Sequence, residues 1–142
     1  MANISGFITS TNTAAELGAE VWLDQTCVLN CEHVDSPQNF VCTVDDQDAE
    51  HELRIVMKHK RAEHTKINQQ GGIAEDACLT VSDLRVDDID LPLLVFCDYI
   101  YTHDFNGTRP LSSHRFYGVM GCNGEVVLKF TTPIELWLLE KL

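Results

Sequence analysis

Basic residues are scarce in this chain of 142. Ten Lys and Arg stand against 22 Asp and Glu, giving a formal charge of −12 and a pI near 4.7. A protein that tracks nucleic-acid phosphates needs a cationic footprint, and one that adheres to anionic lipid needs a basic patch; neither partner is expected. Long apolar runs are missing too. The longest, residues 91–97, is interrupted by Pro92 and falls far short of the roughly 20 residues that cross a bilayer. The first eighteen residues have neither the basic start nor the apolar core of a secretion signal, which predicts a chain made and kept in a reducing cytoplasm. No repeat, low-complexity tract or interdomain linker stands out. Neither G-x-S-x-G nor H-E-x-x-H occurs, and no glycine loop is built to cradle phosphate, so no enzyme is expected.

What is present is an ordinary globular composition, 44% hydrophobic and 23% charged. A chain of this length argues for one domain burying roughly two-thirds of the surface it exposes when unfolded. Its six cysteines (27, 31, 42, 78, 97 and 122) have no disulfide-framework spacing, and in a reducing compartment they are expected to be free thiols. Strand signals dominate. Residues 19–29 and 39–44 are β-branched and aromatic, and 52–57 alternate with Leu53, Ile55 and Met57 on one face. Residues 77–91 also alternate, but the phase slips between Val81 and Leu84 and again between Val86 and Ile89, which predicts a bulge or turn at each slip. Residues 93–101 form another strand candidate. Asn123-Gly124 lies between runs 117–122 and 125–131 and predicts a hairpin with a type I′ turn. From Pro133 onward a helix start and a strand alternation compete, and the reading favours a final strand or single turn. The polar segments 45–51, 62–74 and 106–113 are expected to be mobile. Together these features predict residues 1–15 as a flexible arm and 16–142 as one all-β domain. That domain is expected to be a jelly-roll-like β-sandwich of about seven to nine short antiparallel strands with little helix.

Several clusters are chemical candidates. Cys27, Cys31 and His33, with Cys42 nearby, are a metal candidate, but i and i+4 on a strand lie about 13 Å apart, so the thiols share an ion only if the chain turns between them. Asp45, Asp46, Asp48, Glu50 and Glu52 crowd one segment and suggest either a solvated loop or a calcium site without EF-hand spacing. Lys58, His59, Lys60 and Arg61, followed by His64 and Lys66, form a basic cluster that either neutralises that loop or docks against an acidic surface, including that of a neighbouring copy. Tyr99, Tyr101, His103, Asp104 and Asn106 have the composition of a sugar site, with rings to stack and polar groups to hydrogen-bond hydroxyls. Trp137 and Leu139, in a terminus rich in leucine, are candidates for a subunit contact as well as for core packing. No resident metal or other cofactor is assigned from the sequence.

Two stretches resemble known families. Leu79-x-Val81-x-Asp83-Leu84-x-Val86-Asp87-Asp88-Ile89-x-Leu91 resembles a strand of jelly-roll carbohydrate-binding modules, which implies calcium-dependent sugar binding near Asp87, Asp88, Asp104 and Asn106. Over residues 50–142 the chain is similar to small β-sandwich proteins of tailed bacteriophages. The residues that carry the likeness are Lys60, Thr65, Gly72-Ile73, Asp76 and Leu79, then 101–108 (YTHDFNGT) and 116–124 (FYGVMGCNG). That resemblance implies a non-enzymatic virion component, a capsid decoration (cement) or tail accessory protein, homo-oligomeric and bound to a capsid or other virion protein. The expected location is then the virion, after synthesis in the host cytoplasm.

Overall fold

A computed structural model of the chain describes residues 1–87, 89–90 and 99–141. In chain order the strands are β1 (Ala2–Ser10), β2 (Gly18–Leu23), β3 (Thr26–Cys31), β4 (Gln38–Val44), β5 (Ala49–Lys58), β6 (Thr65–Ile67) and β7 (Ile73–Asp76). They continue as β8 (Leu79–Val86), β9 (Ile89–Asp90), β10 (Tyr99–His103), β11 (Ser112–Arg115), β12 (Val119–Met120) and β13 (Gly124–Thr132), and one helix, α1 (Ile134–Lys141), follows. β6, β7, β9, β11 and β12 have four residues or fewer, and the eight longer strands carry the architecture. One sheet, A, runs β12-β8-β1-β4 with β9 beside β8; the other, B, runs β11-β10-β13-β5-β2-β3; β6 and β7 form a separate hairpin. The pairings are antiparallel throughout. This is the all-β, sandwich-like fold that the alternation predicts.

One buried cluster joins the two sheets: Ile4, Ile8, Phe40, Leu79 and Val86 from A, and Val21, Leu53, Ile55, Val126 and Leu128 from B. Burying each such side chain contributes roughly 1.5–3 kcal/mol. The expected bulge in β8 is present. Its register against β1 shifts opposite Ser5 and Phe7, and Asp83 takes a left-handed φ of 53°. Asp87, φ 53°, makes the second slip by turning the chain toward β9. Part of the strand expected at 93–101 lies outside the described residues, as do Asp88 and Cys97.

Four expectations are corrected. Residues 1–15 are not a flexible arm: β1 occupies the interior of sheet A, paired with β4 on one side and β8 on the other. Its inward residues Ala2, Ile4, Gly6 and Ile8 alternate properly, but Ala and Gly give a weak hydrophobic signal. Gly6 is required there, since a Cβ would sit 2.7 Å from the Phe40 ring and 2.9 Å from Leu84. Second, the run 19–29 is two strands, β2 and β3, joined at Asp24, φ 53°. Third, Asn123-Gly124 makes no hairpin, because β12 belongs to sheet A and β13 to sheet B. Asn123 instead clamps Lys60, accepting from its N–H and donating to its carbonyl, each at 2.9 Å. Gly124 serves close packing, since a Cβ would lie 2.4 Å from the Thr102 carbonyl oxygen. Fourth, the terminus is helical. Ile134, Trp137 and Leu138, spaced i, i+3, i+4, face inward, and Pro133 provides the first carbonyl, to Leu136 N and Trp137 N. The segments expected to be mobile include ordered pieces: β5 starts at Ala49, β6 and β7 pair within 62–74, and β11 starts at Ser112.

Candidate functional site

Tyr99, Tyr101 and His103 share one face of β10, as residues two apart on a strand must, and that face is the core: all three are buried. Tyr101 Oη donates to the Cys122 carbonyl and accepts from Cys122 N–H at 2.9 Å. Burial pushes both phenols above their ordinary range. Asp104 accepts from Gly107 N–H at 2.8 Å within the turn, and Asn106 accepts from Asn123 N–H at 2.9 Å, which ties the turn to the start of β13. The aromatic faces proposed for sugar stacking are therefore spent on internal packing, the choice between core and site that a tyrosine in a sequence leaves open.

The basic cluster is largely neutralised in place. Lys58 Nζ lies 2.7 Å from Glu32 and 3.1 Å from Glu20, and His59 Nε2 lies 2.7 Å from Glu32. The Lys60 side chain is 1% exposed, with Nζ held between Asp76 Oδ1 at 2.5 Å and the Gly121 carbonyl at 2.6 Å. Burial pushes the Asp76 carboxyl up, but hydrogen bonds from Lys60 and Thr65 more than offset it and hold the group below its ordinary value. Of Lys58, Lys60 and Arg61, only Arg61 stands well exposed, beside Glu63 at 2.9 Å. Lys60 thus ties the β6–β7 hairpin to the loop after β12 and is not presented for docking. Trp137 is likewise only 6% exposed, its ring edge-on to Phe130 at 6.0 Å, because the helix turns it inward; Leu139 on the opposite side is 67% exposed.

Cys27 and Cys31 are both on β3, with no turn between them. Cys42 is in the core, where burial pushes its thiol up to about 11. His33 Nε2 lies 2.6 Å from the Thr13 carbonyl. Among the described residues no three His, Cys, Asp or Glu side chains converge on one point. Beside the acidic segment is a cleft of about 560 Å³ lined by Asp24, Glu50, His51, Lys129, Phe130 and Trp137. In it Asp24 bonds His51 Nδ1 at 2.7 Å and Glu52 N–H at 2.9 Å, while His51 stacks on Phe130. His51 Nε2 is buried without a hydrogen-bond partner.

The feature that sequence reasoning missed is the outer face of sheet A. Registered neighbours across β4, β1, β8 and β12 give rows of Thr43 beside Asn3, Val41 beside Ser5 and Arg85, Asn39 beside Phe7 and Ser82, and Thr9 beside Thr80 and Val119. The seven outward positions on β1 and β4 (Asn3, Ser5, Phe7, Thr9, Asn39, Val41 and Thr43) are all uncharged. Soluble surfaces run roughly 25–35% charged, so seven such positions would ordinarily carry about two charges. Val41 and Val119 are each 52% exposed and Phe7 37%. Thr43 Oγ1 donates to Asn3 Oδ1 at 2.9 Å, fixing one row. Charge begins at β8, where Arg85, directly beside Ser5, pairs with Asp90 at 2.8 Å and Asp87 accepts from Asn3 N–H at 3.0 Å. Such a face can cover another protein surface with little charge to desolvate.

No helix among the described residues is long and apolar enough to cross a membrane. No family model, curated protein or solved structure matches the chain.

Proposed function

We propose that the chain is a non-enzymatic structural protein of a phage particle, a capsid decoration or tail accessory component, that makes its assembly contact through the outer face of sheet A. The observation that carries this reading is the run of seven uncharged outward positions on β1 and β4 of a chain of net charge −12. A catalytic or small-ligand site concentrates convergent polar groups in a concavity, whereas these positions present hydroxyls, carboxamides and two apolar side chains on a regular sheet. The resemblance over residues 50–142 supplies the phage setting, with a capsid or other virion protein as partner and the virion as location. The acidic surface leaves nucleic acid and anionic membrane out of the partner set. The rival, a calcium-dependent carbohydrate-binding module, would need Tyr99 and Tyr101 outside the core.

The test is quantitative mass spectrometry of gradient-purified particles from the organism that encodes the chain. Stoichiometric copies per particle are expected, and V41K is expected to leave the particle fraction. Absence of the wild-type chain from particles overturns the reading.

A further inference from the structure

We infer that the cleft beside the acidic segment binds a primary ammonium group carried on a short alkyl chain. Unequal strand lengths make the cleft. β5 has ten residues and β2 six, and their register pairs Gly18 with Lys58 and Leu23 with Leu53. Residues 49–52 of β5 therefore run past the end of β2 and, among the described residues, pair only with β13. Asp24, at the turn after β2, lines the resulting gap together with Phe130 and Trp137, and about 560 Å³ is left open. That volume falls in the usual range for small-ligand sites. Ring surface and carboxylates in one concavity suit a cation with an apolar stem.

Two observations select that chemistry. The first is charge: the lining sets Asp24, Glu50 and Glu52 against Lys129 alone, with the His51 ring neutral. Asp24 is committed to His51 and to Glu52 N–H, but the carboxylates of Glu50 and Glu52 have no hydrogen bond or ion pair among the described residues. Their charge is left for a ligand, and it turns anions away. The second is the His51 ring. Its Nδ1 meets Asp24 Oδ2 at 2.7 Å, so the single proton of the neutral ring sits on Nδ1 and Nε2 remains an acceptor. That acceptor is buried with no hydrogen-bond partner, a standing cost that an entering donor removes. An alcohol brings a donor but no charge; an ammonium brings three donors and the positive charge the carboxylates favour. A bare metal ion finds no three ligating side chains converging among the described residues.

A free aliphatic polyamine and the lysine side chain of another protein share this chemistry, and the experiment separates them. Cadaverine, Nα-acetyl-lysine methylamide and 1,5-pentanediol, the uncharged analogue of cadaverine, are titrated into the isotopically labelled full chain. Amide shifts of residues 24, 50–52 and 129–131 report occupancy of the cleft. Saturable shifts are expected with an amine, at least about tenfold tighter than with the diol. Saturation by cadaverine alone assigns the site to free polyamine, and saturation by the blocked lysine assigns it to a lysine side chain. E50Q combined with E52Q should weaken amine binding at least about fivefold. H51F keeps a ring against Phe130 but removes the acceptor, and should weaken it as well; if H51F fails to fold, the doubly substituted chain carries the test. E75Q removes an acid from the β6–β7 hairpin, outside the cleft, and should leave binding unchanged. No saturable shift with either amine, a diol that binds as tightly as cadaverine, binding unchanged in E50Q/E52Q, or equal weakening by E75Q overturns the inference. Sheet A takes no part in this binding, so the result is independent of the assembly contact proposed above.

Discussion

Acidification through the titration range of histidine is expected to loosen the β10–β11 margin of sheet B, and the hydrogen bonds there set the sign. Phe105 N–H donates to His103 Nδ1 at 3.3 Å, so the single proton of neutral His103 sits on Nε2. That proton is donated to His114 Nε2 at 2.9 Å, which places the proton of His114 on Nδ1, directed at the Arg115 carbonyl at 3.1 Å. Four ring nitrogens are thus satisfied by two protons. A third proton would confront the Phe105 amide at His103 Nδ1, or the His103 N–H at His114 Nε2. Burial, and next the neighbouring His114, lower the pKa of His103, while Asp104 pulls the other way. Because the folded value is depressed, the unfolded chain takes up the proton first. The stabilisation is therefore complete above about pH 6.5 and is lost as pH falls from there toward the folded value. Breaking the histidine pair and stranding a buried donor costs about 1–3 kcal/mol. For a chain of this length that is roughly 3–10 °C in melting temperature. The assay is thermal unfolding of wild type and H114Q from about pH 8 to 5, read as the difference between their pH slopes. Glutamine accepts the His103 bond through its carbonyl and does not titrate, so its slope should be shallower. Identical slopes, or a wild type that gains stability on acidification relative to H114Q, would refute the tautomer argument.

Three further outcomes follow from named contacts. Lys60→Ala strips the partner from Asp76 and the Gly121 carbonyl and should cost about 3 kcal/mol in urea denaturation; Lys60→Met with Asp76→Leu should recover most of it. With the Asp76 carboxyl held below its ordinary value of 3.8, the pair's contribution should be complete above about pH 4 and decline as pH falls further. Gly124→Ala drives a Cβ into the Thr102 carbonyl and should cost more than about 2 kcal/mol, whereas Gly71→Ala, with φ +83° but open space around it, should cost only about 1 kcal/mol by thermal melting. Trp137→Ala should lower stability by about 3–5 kcal/mol, while Leu139→Ala stays within about 0.5 kcal/mol; equal effects would mean that the helix docks through its other side.

The parts of the fold legible in the sequence were those where alternation is written in strong letters. Leu53, Ile55 and Met57 announce β5, and the phase slip around Asp83 announces a bulge, because both are local consequences of which side chains are buried. β1 escaped because Ala2 and Gly6 occupy inward positions that larger residues would have advertised, and Gly6 is there for the sake of Phe40, a residue thirty-four positions away. Asn123-Gly124 misled for a related reason. Its local preference is for a turn, but the Asn carboxamide is engaged by the Lys60 backbone, a tertiary fact no dipeptide encodes. Tyr99 and Tyr101 fit a core and a sugar site equally well until the register of β10 chooses. The uncharged part of sheet A was invisible because it is a lack of charge shared between residues 3–9 and 39–43, which become neighbours only after the strands align.

The place of β13 also governs how this chain comes together as it leaves the ribosome. Until residues 124–132 emerge, sheet B exists as two fragments, β11-β10 and β5-β2-β3, each with an open edge. β13 then closes both at once, pairing Gly124 with Met57 and Thr132 with Ala49. Contacts bridging sixty-seven to eighty-three positions along the chain favour slow folding that waits on β13. During that interval the inner faces of two half-sheets are uncovered. Twelve surplus negative charges then keep nascent copies apart until each has closed on itself.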